Sequence, residues 1–371
     1  HHWFQSDASM MGLIQELGLQ DKVIFPRPLT VMYFNEKFYP FDSILNALRF
    51  PGLGFGLNKI RFGFVGLFLR LTNNWRALEK VTADAWMMKW AGKQVYEQMW
   101  KPLLVGKFGP FYKDVNMAWM WARIKARTTR LGTFEGGFQK FADLFTDQLR
   151  GMGVEIRLGT PIKFIKQNQA SGGLNVDVES FDKVLVTTSP SLMAKMCPDL
   201  PEDYLKGLLE LKSMGAVVMV LSLKHQLSEQ GYYWFSLPKE AGFPLLALVE
   251  HTNFVSKDHF GGDRIVYAGD YLEVGHEYFS LSDEELLERF IPAFKRINPA
   301  FEKDWVKKVW VNKTNYAQPV PLVNHSENIP AIQTPIEGLY FASMSQVYPW
   351  DRGTNFAVEI GRRAARMMLG K

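Results

Sequence analysis

The segment from Glu337 to Ala357 constrains this chain more than any other, because it reads as a short apolar strand, a polar turn and a helix in direct succession. Leu339 to Ala342 form an unbroken apolar run after Gly338, the pattern of a strand buried on both faces of an α/β sheet. Pro349, Asp351 and Gly353 break the pattern, and Thr354 or Asn355 can act as N-cap of the next helix. Ala357, Gly361, Ala364 and Met368 then recur at helical spacing, so one face is expected to carry them while Arg362, Arg363 and Arg366 point elsewhere. Small residues let such a helix approach a sheet closely. Its N-terminus then offers free N–H groups and partial positive charge beyond the strand end, which suits a partly anionic ligand. The same pattern also fits the closing strand and helix of any doubly wound domain.

Composition narrows the class. The 371 residues allow one large or two to three ordinary domains, and 47% hydrophobic with 14% aromatic residues indicates a globular chain. Basic residues exceed acidic ones by 43 − 38 = 5 with no dense basic run, so nucleic acid is not an expected partner. Cys197 is the only cysteine, which excludes an internal disulfide and a cysteine-ligated zinc; no metal site is expected. No apolar run reaches the roughly 20 residues that span a bilayer. The longest, Ile60 to Leu71, contains Arg61 and Arg70. With no signal peptide at its start, the chain reads as cytoplasmic.

From the beginning, His1-His2 are read as native residues rather than a tag remnant or a metal pair. Met10, Met11, Leu13, Ile14 and Leu17 predict a helix over 8–17 that stops at Gly18. Val23–Phe25, Val31–Phe34 and Phe38–Phe41 read as strands, the last two joined by a turn at Asn35-Glu36-Lys37. Residues 43–130 read as mostly helical. Gly52-Leu53-Gly54-Phe55-Gly56 is not a dinucleotide fingerprint, because the glycine spacing and the βαβ context are both wrong. Gly136-Gly137 precede a helix over 139–150, followed by an expected strand over 154–158, Pro161-Ile162, and a buried strand from Asp182 that ends in the small turn Thr187-Thr188-Ser189. Between 212 and 316 strands are expected at 216–223, 232–235, 243–251 and 264–271, with a helix over 283–297 capped by Ser282. Glu250-His251-Thr252-Asn253 at a strand end reads first as a hydrogen-bonded turn. The alternative is that His251 or Asn253 faces a substrate, with His251 able to exchange protons near neutrality.

Three blocks together carry a resemblance: Gly338 to Ala342 with Asp351-Arg352-Gly353-Thr354-Asn355-Phe356-Ala357 and Gly361-Arg362; Gly136-Gly137 with Val154 to Ile162; and Asp182 to Pro190. In their order and spacing along the chain they resemble the flavin amine oxidase and protoporphyrinogen-oxidase-like FAD-dependent oxidoreductases. The resemblance covers nearly the whole chain and extends to Lys107-Phe108-Gly109 and Glu250 to Phe254. It implies a mixed α/β fold: an FAD-binding doubly wound domain from residues 1–22, 131–205 and 331–371, a helical insertion over 42–130, and a sheet-based substrate domain from 23–41 and 206–330. It implies FAD as cofactor, met by Ile162, Thr188, Met344, Arg352, Gly353, Thr354, Asn355 and Ala357, with the helix N-terminus under the flavin pyrimidine edge. The family's G-x-G-x-x-G turn, which meets the FAD pyrophosphate, is not in this sequence, so residue 1 is expected to correspond to a point just beyond that βαβ unit.

The function implied is hydride transfer from a carbon next to an amine, or from another C–H substrate, to the flavin. No acid, base or nucleophile is assigned. One alternative is a sugar-ring rearrangement resembling UDP-galactopyranose mutase, in which Lys107, Arg123 and Arg127 bind an anionic diphosphate; helix-surface cations explain them as well. A second is a non-catalytic binding module whose basic aromatic stretch from Arg49 to Arg70 meets a partner or a membrane periphery. The partner implied is a small-molecule substrate.

Overall fold

The computed structural model describes residues 2–168 and 172–371 of the chain, so His1 lies outside the described residues. The chain folds as two compact units: residues 1–25, 132–212 and 324–371 form the first, and residues 26–131 and 213–323 the second.

In the first unit the strands Leu339–Phe341 and Val184–Val186 pair in parallel, Leu339 opposite Val184 and Phe341 opposite Val186. All three residues of the later strand are buried. Gly338 opens it with φ +77, and a side chain there would meet the Asp182 carbonyl at 2.9 Å, so both conformation and space require glycine. The closing helix Thr354–Met368 buries Asn355, Ile360 and Ala364. Ile360 and Ala364 pack with Tyr340, Ala342 and Ile332. The expected face is therefore rotated: Ala357 is exposed and Gly361 only half-buried, because the longer Ile360 fills the space over the strands better than a stripe of small residues does.

The helix Gly137–Gly151 follows Gly136 and Gly137, whose φ values are +82 and +85. A side chain built at Gly137 would meet nothing within 4 Å and one at Gly136 only Lys140, at 3.3 Å, so among the described residues it is the left-handed backbone that calls for glycine at this pair. The strand expected at 154–158 is absent; those residues are irregular, and Leu158 is 83% exposed. Without a neighbouring ladder, alternation alone does not make a strand. Instead Arg157 pairs at the surface with Glu155 and Glu179, both at 2.5 Å.

Val23–Ile24, expected beside the hairpin in the substrate domain, pairs antiparallel with Leu131–Phe134 instead, Val23 opposite Phe134. It thus belongs to the first unit.

The second unit holds a seven-stranded sheet in the order Val306–Pro319, Ser213–Leu223, Arg264–Leu272, Ala247–Glu250, Trp234–Ser236, Thr30–Phe34 and Lys37–Pro40. All neighbours are antiparallel except Trp234–Ser236 with Thr30–Phe34. The hairpin turn falls at Asn35 and Glu36, both at positive φ. Leu286, Leu287, Phe290 and Phe294 of the helix Asp283–Ile297 cover the sheet core around Val217, Met219, Val266 and Leu248. Ser282 and Glu285 cap this helix reciprocally. The 14-residue edge strand Val306–Pro319 was not among the expected strands, since Lys307, Lys308, Asn312 and Lys313 mask its pattern. Charges of this kind are what an edge strand tolerates. Helices from Ile44–Arg49 to Met117–Ala126 complete the unit.

Candidate functional site

In the first unit, both parallel strands end at short loops that carry expected cofactor residues. After Val186 come Thr188, whose hydroxyl donates to the Ser189 carbonyl at 3.2 Å, and Ser189, which caps the helix Pro190–Met196. After Phe341 come Ala342, whose N–H donates to the Val186 carbonyl at 2.9 Å, and then Met344, half-buried. The Gln346 side chain staples this second loop: Oε1 accepts from Ser343 N–H at 2.7 Å, and Nε2 donates to the carbonyls of Phe341 at 2.9 Å and Pro330 at 3.1 Å.

The direction of the closing helix follows from one contact. Lys183, just before the strand Val184–Val186, donates to the carbonyl of Met368 at the helix end. The helix therefore runs back along the strands, and its N-terminus lies at their carboxyl ends, the edge where open α/β sheets bind ligands. Its N-cap is Gly353, not Thr354 or Asn355, and no side chain caps it. Both polar residues are engaged elsewhere. The Trp3 indole N–H donates to Thr354 Oγ1 at 2.8 Å, and Met10 N–H donates to Asn355 Oδ1 at 3.1 Å. Gly353 and Thr354 are solvent-accessible. The first-turn N–H groups thus form the positive end of an uncapped 15-residue helix, while Asn355 holds it to the helix Ala8–Glu16. Arg362 adds an exposed ion pair to Glu16 at 2.7 Å. Trp350 stacks on Phe356 beside the same turn, with ring centres 6.0 Å apart. The Arg352 N–H donates to Asp351 Oδ1. Ile162 is 38% exposed in the irregular segment before the strand Ile165–Gln167, and nothing described brings it to this helix end.

The anchors Trp3 and Met10 and the staple Gln346 were missed in the sequence. Trp3 is 351 residues from its partner Thr354, and no local signal reports such a pairing.

In the second unit, Glu250 is fully buried and accepts from the N–H groups of Leu227 and Ser228, each at 2.8 Å. Burial raises its pKa, and those two N–H groups oppose the shift. Asn253 donates to the Tyr232 carbonyl at 2.9 Å and accepts from Gln226 at 3.0 Å. His251 sits among Phe254, Phe260 and Tyr267, and burial lowers its pKa to about 4, so it is neutral at pH 7. Thr252 Oγ1 accepts from Ile265 N–H at 3.2 Å, so Glu250, Thr252 and Asn253 are each hydrogen-bonded at this strand end. Lys107 hydrogen-bonds Gln318 at 3.3 Å and lies over the Tyr271 ring at 4.6 Å. Arg123 lies over Trp119, which packs edge-on against Phe108. Arg127 is exposed.

Residues 1–369 match the family of flavin containing amine oxidoreductases, and the chain belongs to it. Solved structures with a similar fold include a protein provisionally assigned as a protoporphyrinogen oxidase from Exiguobacterium sp. 255-15, at 17% identity and TM-score 0.74, covering 100% of this chain and 87% of that one. Reduced UDP-galactopyranose mutase has TM-score 0.76 at 11% identity, covering 100% of this chain and 84% of the other. Cyclohexylamine oxidase from Brevibacterium oxydans IH-35A has TM-score 0.65 at 12% identity, covering 99% and 86%. At such identities the likeness is one of fold. No curated protein matches the chain.

Membership implies a flavin, and the uncapped helix end fits one: backbone N–H groups and a helix dipole suit the partly anionic edge of the ring, with no competing carboxylate at the N-cap.

Proposed function

We propose that the protein is an FAD-dependent oxidoreductase of the amine oxidase type, taking a hydride from a carbon next to an amine or from another C–H of a small-molecule substrate. The uncapped N-terminus of Thr354–Met368, at the carboxyl edge of a parallel strand pair in a chain of this family, carries the reading. Bound FAD supplies the hydride acceptor at its N5. The chain's own contribution is to bind and orient. The N–H groups that follow Gly353 stabilise negative charge at the pyrimidine edge. Thr188, Met344 and Arg352 line the loops beside it, Ala357 keeps the adjoining helix surface small, and Ile162 is the proposed adenine contact. Asn355 acts through position, holding the helix end still from its buried bond to Met10. Lys107 and Arg123 are held by Gln318, Tyr271 and Trp119, and that occupation favours the oxidoreductase over the diphosphate-binding reading.

The first test is the visible absorption spectrum with added FAD, for this chain alone and for the chain fused behind a glycine-rich βαβ unit. Flavin bands that bleach anaerobically on adding a primary or secondary amine support the proposal. Failure of both forms to hold flavin would sink it, and binding without bleaching by any amine would remove the amine-oxidase chemistry.

A further inference from the structure

The helix Leu57–Leu71 has its apolar side in water. Leu57, Ile60, Phe64, Leu67 and Leu71 succeed one another at spacings of three, four, three and four, which places them on one stripe. All are exposed, Phe64 by 69%, while Val65 and Leu69 on the other side are buried. Phe55, just before the helix, is 90% exposed, and Ile44 in the preceding helix Ile44–Arg49 is 82% exposed. Contiguous apolar surface of this kind marks a binding face.

Charge decides the occupant. From Ser43 to Leu78 there is no Asp or Glu, although the chain has 38, and there are five cations: Arg49, Lys59, Arg61, Arg70 and Arg76. Lys59 lies over the Phe55 ring at 5.7 Å and Arg76 over Trp75 at 4.5 Å, so cations border the apolar groups. Within this stretch a protein partner of ordinary composition would find no acidic side chain to pair with its own cations. An anionic lipid surface asks for none: phosphates meet the cations while the apolar stripe enters the boundary between headgroups and acyl chains. Among the described residues no helix is long and apolar enough to cross a membrane, and this one has 15 residues, so it would lie in the surface plane.

We propose that this face docks the protein on an anionic membrane surface. The test is co-sedimentation with phosphatidylcholine vesicles, with and without about one third phosphatidylglycerol. Binding to the anionic vesicles is expected, falling at least about tenfold in Phe55→Ser/Phe64→Ser and in Arg49→Glu/Arg61→Glu, since each change removes one of the two attractions. All four residues are exposed, and unchanged thermal unfolding confirms that each variant is folded. No binding to anionic vesicles, equal binding to neutral ones, or unaltered binding by either variant would overturn the proposal. So would a concentration-dependent dimer that Phe55→Ser/Phe64→Ser dissolves, because the stripe would then belong to an interface between copies.

Discussion

The helices Leu57–Leu71 and Thr354–Met368 each have 15 residues, each follows a glycine, and neither has a side-chain cap. They differ in which face meets water. The later helix hides Ile360 and Ala364 and exposes Glu359 and Arg366, while the earlier one exposes Leu57, Ile60, Phe64 and Leu71 and hides only Val65 and Leu69. Amphipathic periodicity identifies a helix, but the surroundings decide whether its apolar face builds a core or a contact surface. The leading glycines differ too. Gly353 has extended backbone at φ 167, open to any residue, whereas Gly56 sits at φ 56, ψ −117, a conformation that L side chains rarely adopt.

The largest expected break in this comparison is Ala364→Asp. A carboxylate placed against Tyr340 and Ala342 lacks a partner, and loss of about 3 kcal/mol or more in chemical denaturation is expected. The same charge at Phe64 should change stability by less than about 0.5 kcal/mol. Comparable effects at both sites would refute the assignment of faces.

Next is pH, acting at a buried group outside both helices. His251 has its folded-state pKa depressed to about 4 from 6.5 by burial. The folded state therefore binds fewer protons than the unfolded one between these values. Its contribution is fully present above about pH 6.5 and is lost as pH falls to about 4, by up to roughly 3 kcal/mol. A His251→Gln variant should flatten that part of the stability curve; an unchanged slope would place the titration elsewhere.

Smaller again is Asn355→Ala, which leaves the Met10 N–H unsatisfied in a buried position and should cost about 1–3 kcal/mol in urea unfolding. The finest discrimination is between the two glycines. Gly353→Asp should cap its helix, raising stability by a few tenths of a kcal/mol. It should also weaken flavin binding by competing for the same N–H groups, which a flavin titration would read. Gly56→Asp should instead destabilise by about 1–3 kcal/mol through backbone strain. Unweakened flavin binding in Gly353→Asp would move the cofactor away from this helix end.

Much of this was legible locally. The strand at Leu339, the helix at Asp283 with its Ser282 cap, and the hairpin turn at Asn35-Glu36 all follow from residues within one turn or one strand of each other. The edge strand Val306–Pro319 was not, because its lysines reflect a position at the border of the sheet rather than a strand propensity. The expected strand at 154–158 failed for the opposite reason: propensity was present and a pairing partner was not.

By itself the sequence determined the periodicities, the glycine turns and the acid-free stretch from Ser43 to Leu78, since each depends on covalent neighbours and side-chain chemistry alone. Tertiary structure decided that Gly353 rather than Thr354 begins the closing helix, that Thr354 and Asn355 are taken by Trp3 and Met10, and that the stripe from Leu57 to Leu71 faces water. A hydrogen bond across some 350 residues and the burial of a helix face exist only once the chain has closed on itself, so no local window contains them.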